Sequence, residues 1–276
     1  MEKIDRLGWA AGFSFTSYGV RVGMRANDPE VLDRLRRHLP PGWKPSTSSV
    51  VARLYSIVGG GPGARPNIRR FNLLYRDITR LARTTDLDQI FETLESDLRL
   101  YIAEAAQRRL FVHAGVVGWQ GRAILFPGRS FSGKTNLVVE MIRAGATYYS
   151  DEYAVLDQHG YVHPFLKNLS IRKDGGYKQN DYSIEALGGR RGMKPLRVGL
   201  VVVSQYKQGA SWRPRQVSEG QGVLELMANT VSVRRQPGQT LDVLQRVVSN
   251  APVVKGVRGE GKEAVSSILR RLEAVV

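Results

Sequence analysis

Gly128-Arg129-Ser130-Phe131-Ser132-Gly133-Lys134-Thr135 is the stretch on which the fold turns. It satisfies G-x-x-x-x-G-K-[ST] at every fixed position, the pattern of a phosphate-binding loop. The chemistry asks for these residue types. Glycines let the backbone curl with its N–H groups inward, which makes a nest for phosphate oxygens. The Lys134 ammonium suits the β- and γ-phosphates, and the Thr135 hydroxyl suits Mg2+. The N-terminus of a following helix also favours an anion. The expected nucleotide-binding residues are therefore Gly128, Arg129, Ser130, Phe131, Ser132, Gly133, Lys134, Thr135 and Asn136.

The flanks agree with that reading. Upstream, Gly121-Arg122-Ala123-Ile124-Leu125-Phe126-Pro127 is a short apolar run of the buried-strand type. Downstream, Leu137, Met141 and Ile142 recur at helical spacing until Gly145, a helix stop. Strand, glycine loop and helix come in the required order.

Just before the loop, Phe111-Val112-His113-Ala114-Gly115-Val116-Val117 reads as another buried strand. A histidine in such a strand is most often an ordinary core residue. Here, pairing of the two strands as a hairpin would bring His113 towards the phosphate site. After the helix, Ala146 to Leu156 reads as a strand carrying Ser150-Asp151-Glu152. Acidic residues there stand where a carboxylate meets Mg2+ or the attacking group in phosphoryl transfer. On a continuous strand Asp151 and Glu152 face opposite ways, so both serve the nucleotide only if the strand ends there.

A chain of 276 residues suits one large domain or two smaller ones, and its 42% hydrophobic and 24% charged content is ordinary for a globular protein. No apolar run reaches the ~20 residues a bilayer span needs. The first residues, Met1-Glu2-Lys3-Ile4-Asp5-Arg6, lack a signal-peptide pattern, and the absence of cysteine removes disulfides and thiolate chemistry. A cytoplasmic enzyme fits. The net charge of +16 favours phosphate-rich partners, but the basic residues are scattered in pairs such as Arg36/Arg37, Arg190/Arg191 and Arg234/Arg235. Scattered pairs read as solvated surface, so nucleic acid is not the expected partner.

Elsewhere, residues 1–83 read as a small α+β region: a hairpin turning at Ser17-Tyr18-Gly19, a helix capped by Asp28 with Pro29 at its first position, and strands over 50–58 and 68–75 joined by the loop Gly59-Gly60-Gly61-Pro62-Gly63. Residues 84–109 are the longest helical signal, with Leu87, Phe91, Leu94, Leu98, Tyr101 and Ala105 on one stripe, and read as a linking helix. The nucleotide-binding domain is then 110–276, with a strand over 196–203, helices around 223–227 and 241–248, and a last helix after Arg258-Gly259-Glu260. Arg172, Lys173, Arg190, Arg191 and Lys194 are further basic residues within reach of a phosphate.

Taken together, His113-Ala114-Gly115, the glycine loop and Ser150-Asp151-Glu152, with Asp151 sixteen residues beyond Thr135, resemble the catalytic domain of HPr kinase/phosphorylase. The similarity covers about residues 110–172, including Val162-His163-Pro164-Phe165. That family phosphorylates a serine of the phosphocarrier protein HPr and can remove the phosphate again. The resemblance implies an α/β (α+β) fold of the HPr kinase/phosphoenolpyruvate carboxykinase type, with a mainly β core. It implies ATP and Mg2+ as ligands, Lys134 on the transferred phosphate, and Asp151 as general base. His113 would support the phosphate, and Thr135, Asp151 and Glu152 would be the metal-side residues.

Phe131 stands where the family has a second loop glycine, Asn136 replaces a glutamate, and Glu152 replaces the second aspartate of its pair. The family's glutamate-containing motif beyond this core has no counterpart. The resemblance thus implies a divergent kinase without the reverse activity, acting on a hydroxyl, expected to be a serine, of a protein or peptide that need not be HPr. It also suggests a homo-oligomer. The competing reading is a non-catalytic ATP- or GTP-binding sensor or docking module.

Overall fold

The computed structural model describes residues 3–61, 70–129, 132–172 and 179–274, with the backbone alone at 3, 170–172 and 179–181. Ser130 and Phe131 of the glycine loop, Lys173, and most of the span joining the strands at 58 and 72 lie outside the described residues. The chain divides into two compact units, Met1–Gln107 and Arg108–Val276.

The first unit contains β1 (Ala11–Ser17), β2 (Val20–Ala26), α1 (Pro29–Leu35), β3 (Lys44–Ser46), β4 (Arg53–Val58), β5 (Asn72–Arg76), β6 (Thr79–Thr84) and α2 (Leu87–Ala105). Its six strands run in the order β3-β1-β2-β4-β5-β6, with β2 and β4 parallel. β1 and β2 form the expected hairpin, turning through Tyr18 and Gly19 at φ 48° and 83°. Both central residues take positive φ, as the turn that matches strand twist requires. Asp28 caps α1 by accepting the Glu30 N–H, and Pro29 is its first residue. α2 belongs to this unit, packs on β5 and β6, and buries Ile90, Phe91, Leu94, Leu98 and Ile102.

The second unit follows with β7 (Leu110–Trp119), β8 (Arg122–Pro127), α3 (Lys134–Arg143), β9 (Thr147–Ser150), β10 (Tyr153–Leu156), β11 (Tyr161–His163), β12 (Leu169–Arg172), β13 (Gln179–Tyr182), β14 (Leu196–Tyr206), β15 (Arg215–Gln216), α4 (Glu219–Met227), α5 (Pro237–Asn250), β16 (Val253–Arg258) and α6 (Gly261–Glu273). Its main sheet runs β11-β10-β7-β8-β14-β16-β15, with β9 also on β7. β8, β14 and β16 are parallel neighbours, so their C-terminal ends share one edge of the sheet. The other pairings are antiparallel.

Alternation along β8 sets the layers. Ile124 and Phe126 face a core with Leu137, Val138 and Ile142 of α3 and Val265, Ile268 and Leu272 of α6. Ala123 and Leu125 face the opposite core, with Leu226 of α4 and Val243, Leu244 and Val247 of α5. This is a mixed α/β arrangement with helices on both faces. No helix among the described residues is long and apolar enough to cross a membrane.

One expectation changes. Residues 146–156 are not a continuous strand: Asp151 and Glu152 form a bend between β9 and β10, and both flanking strands pair with β7. β16 also goes beyond the sequence reading, because Lys255 and Gly256 interrupt its apolar pattern.

Candidate functional site

The hairpin of β7 and β8 aligns Ala114 with Pro127, after which the chain leaves the sheet and the Gly128 N–H donates to the His113 carbonyl at 3.1 Å. On the other edge of β7 the Ala114 N–H donates to the Glu152 carbonyl at 3.1 Å. Two consecutive residues of one strand therefore hold the start of the glycine loop and the acidic bend. Adjacent strands lie about 4.8 Å apart, so the two segments are separated by roughly two strand spacings. Beyond the end of β8 its side of β7 is covered by residues 229–231: His113 donates to the Asn229 carbonyl at 2.7 Å, and Val231 to that of Phe111 at 2.9 Å.

The loop closes on itself. Lys134 Nζ donates to the carbonyls of Gly128 and Arg129 at 2.6 and 2.7 Å. Gly133 sits at φ 81°, where glycine has no steric cost, and is the N-cap of α3. A Cβ on Gly128 would stand 2.7 Å from Ser132 Oγ. That hydroxyl is buried without a hydrogen-bond partner among the described residues. Thr135 lies half-buried in the first turn of α3; Asn136 and Arg129 are exposed.

The acidic bend is enclosed. Asp151 is 7% exposed and accepts from the Tyr148 hydroxyl at 2.9 Å through Oδ1. Lys167 Nζ lies 3.6 Å from both Asp151 Oδ1 and Glu152 Oε2, so the two carboxylates share one ammonium. The Ser150 hydroxyl accepts from the N–H groups of Glu152 and Tyr153, which fixes the bend.

Electrostatics link the two segments. Burial holds the Lys134 ammonium down to about 8, against the pull of Asp151 and Glu152. Burial pushes the Asp151 carboxyl above its usual range, opposed by Lys167 and the Tyr148 hydroxyl. Burial, then the charge of Lys134, keeps the His113 imidazole below its ordinary value, so it is neutral at pH 7. The His113 ring also leans on Tyr153, centroids 4.6 Å apart.

Lys134 is thus coupled electrostatically to His113, Asp151 and Glu152. Residues 190–194 are tied into the fold through one side chain and two backbone carbonyls. Arg191 pairs with Glu185 at 2.9 Å, and the carbonyls of Arg190 and Lys194 accept from Tyr148 N–H and the Tyr149 hydroxyl, both at 2.8 Å. This segment braces β9.

Lys167 and Tyr148 escaped the sequence reading, which placed Arg258 before the last helix without giving it a role. Arg258 is buried at the end of β16 and donates to the Gly133 carbonyl at 2.8 Å. Among the described residues no group of three or more His, Asp or Glu side chains could hold a metal ion by itself. A separate cleft of about 420 Å³, lined by His159, Tyr161, Arg197 and Arg246, opens near the start of β14, at the end of the sheet away from the loop.

No family model matches the chain, and no curated protein matches it either. Among solved structures the chain is similar to the Hpr(Ser) kinase/phosphatase from Coxiella burnetii, at 15% identity over 59% of this chain and 95% of that chain, with a TM-score of 0.35. That likeness is a distant structural one.

Proposed function

We propose that this protein is an ATP-dependent kinase that transfers the γ-phosphate to a hydroxyl, a serine of a protein or peptide in the reading developed from its sequence. The observation that carries the proposal is the arrangement around β7, where the glycine loop and the acidic bend hang from His113 and Ala114. A nucleotide fits the residues present. Ser132 Oγ is a buried polar atom without a partner among the described residues, Gly128 has no room for a side chain, and Lys134 turns its ammonium back into the loop.

In this reading residues 128–136 would hold the phosphates, and Thr135 with Asp151 and Glu152 would hold Mg2+ together with them. Mg·ATP supplies the phosphoryl group and the charge neutralisation of its leaving side. Lys134 binds the transferred phosphate. Asp151, its Oδ1 engaged by Tyr148, takes the proton of the acceptor hydroxyl on Oδ2 as the new P–O bond forms and the bond to ADP breaks. His113, neutral, would support the phosphate without adding charge. Positioning and neutralisation account for most of the rate in this chemistry, so this small set suffices.

The test is transfer from radiolabelled ATP to components of a cell lysate, run with wild type and Asp151→Asn. Label incorporated by wild type and lost in the variant supports the kinase. ATP binding with no transfer by wild type, lost in Lys134→Ala, points to a non-catalytic nucleotide sensor instead. Absence of nucleotide binding in wild type sinks both.

A further inference from the structure

Arg258 is an unusual residue to find buried. It is 2% exposed and ranks first by size among the fully buried side chains of the described residues. Its nitrogens go to three neutral oxygens: Nε to Ser204 Oγ at 3.2 Å, Nη1 to the Gly259 carbonyl at 3.0 Å, and Nη2 to the Gly133 carbonyl at 2.8 Å. The next acidic residue, Glu260, is engaged by the Tyr206 hydroxyl at 2.8 Å. A desolvated cation without a bonded carboxylate costs free energy, so something beyond packing has to justify it.

The location supplies the reason. Ser204 and Arg258 lie at the C-terminal ends of β14, the parallel neighbour of β8, and β16, the parallel strand beyond it. Gly133 is the last loop residue before α3, and its carbonyl also accepts the Leu137 N–H, the first bond of that helix. Contact is so close that a Cβ on Gly133 would lie 2.6 Å from Nη2. In a trans peptide the C=O and the following N–H point opposite ways. Holding the Gly133 carbonyl against Arg258 therefore turns the Lys134 N–H away from Arg258.

We infer that Arg258 is a positioning residue of the phosphate site, a clamp on the Gly133 carbonyl that presets the Lys134 N–H and the start of α3 for a di- or triphosphate while adding a buried positive charge behind the loop. This rests on reading residues 128–136 as a nucleotide-phosphate site. The role is specific to polyphosphate, because the clamp acts on the peptide that meets it.

The experiment measures affinity for Mg·ATP and for inorganic pyrophosphate by calorimetry, well below the unfolding transition, with circular dichroism as the check on folding. Arg258→Met is expected to weaken both at least about tenfold. Arg258→Lys, which keeps the charge and one donor nitrogen, should recover part of that loss. Ser204→Ala removes a different bond to the same guanidinium and should stay within about twofold of wild type; a purely structural role predicts no such split. Wild-type affinity in folded Arg258→Met overturns the inference. If that variant does not fold, Arg258→Lys decides: at least about threefold weaker binding supports the clamp, and unchanged binding overturns it. A wild-type protein that binds neither ATP nor pyrophosphate defeats the reading of the loop itself, which is a different outcome from a variant that binds normally.

Discussion

The Gly128 N–H donates to the His113 carbonyl at 3.1 Å, which pins the start of the glycine loop to a strand whose other edge carries Glu152. The relation is made by backbone, so it survives changes of side chain at the acidic bend. Asp151→Asn should accordingly leave the loop and its affinity for ATP without Mg2+ within about twofold of wild type. Transfer should fall by about 10²–10⁴-fold, the usual worth of a general base. Burial raises the Asp151 carboxyl, so its charge is a cost in the fold, and the isosteric amide should not lower the melting temperature. Calorimetric titration, a transfer assay and a thermal melt check the three parts.

Lys134 gives ATP affinity a distinctive pH dependence. Burial lowers its ammonium to about 8, whereas His113 is pushed below its ordinary value. The phosphate favours protonated Lys134. Affinity should therefore be flat between pH 7 and 7.5 and weaken as pH rises through about 8, by up to tenfold per unit, until the higher pKa of the complex is reached. Titration of ATP affinity from pH 6 to 10 reads this directly; a decline deferred to about 10 would place Lys134 in solvent.

Much of this site is local in sequence, and that part was legible. Loop pattern, flanking strand and helix all lie between Gly121 and Gly145, where short-range periodicity and turn chemistry decide the structure. The hairpin that carries His113 to Gly128 follows from two apolar runs separated by a tight turn at Gln120-Gly121. Arg258 lies 125 positions from Gly133, and its placement depends on the register of β16 against β14, which no local pattern encodes. Lys167 sits between β11 and β12, in a segment without period, so nothing in the sequence aims it at the carboxylates. Tyr148 read only as one more strand aromatic; its hydroxyl became visible once β9 ended at Ser150 and turned Asp151 back towards it.

Tyr148→Phe tests that hydroxyl. The bond to Asp151 Oδ1 stabilises the ionised carboxylate, opposing the upward push of burial. Without it the Asp151 value rises further, and a base must be ionised to act. The acid limb of kcat/KM should move to higher pH, so activity is lost earlier as pH falls. At pH well above the limb the rate should stay near wild type, since the ring still packs. A pH–rate profile with an unmoved acid limb removes Tyr148 from the mechanism.

Gly115 couples the strand to the helix and offers a test of packing separate from chemistry. A Cβ there would lie 2.6 Å from Val138 Cγ2, and β7 is held on both sides by strand pairing, so α3 must give way. Overpacking of this kind costs about 1–3 kcal/mol, and Gly115→Ala should lower stability to urea by that amount. Because α3 begins at Lys134, its displacement should also weaken ATP binding severalfold, with Asp151 chemistry otherwise intact. Val138→Ala removes the clashing methyl groups. The double variant Gly115→Ala/Val138→Ala should therefore bind ATP better than Gly115→Ala alone and be less destabilised than the two single changes added together. Strict additivity in urea denaturation, with no recovery of binding, would show that the strand does not set the position of the helix.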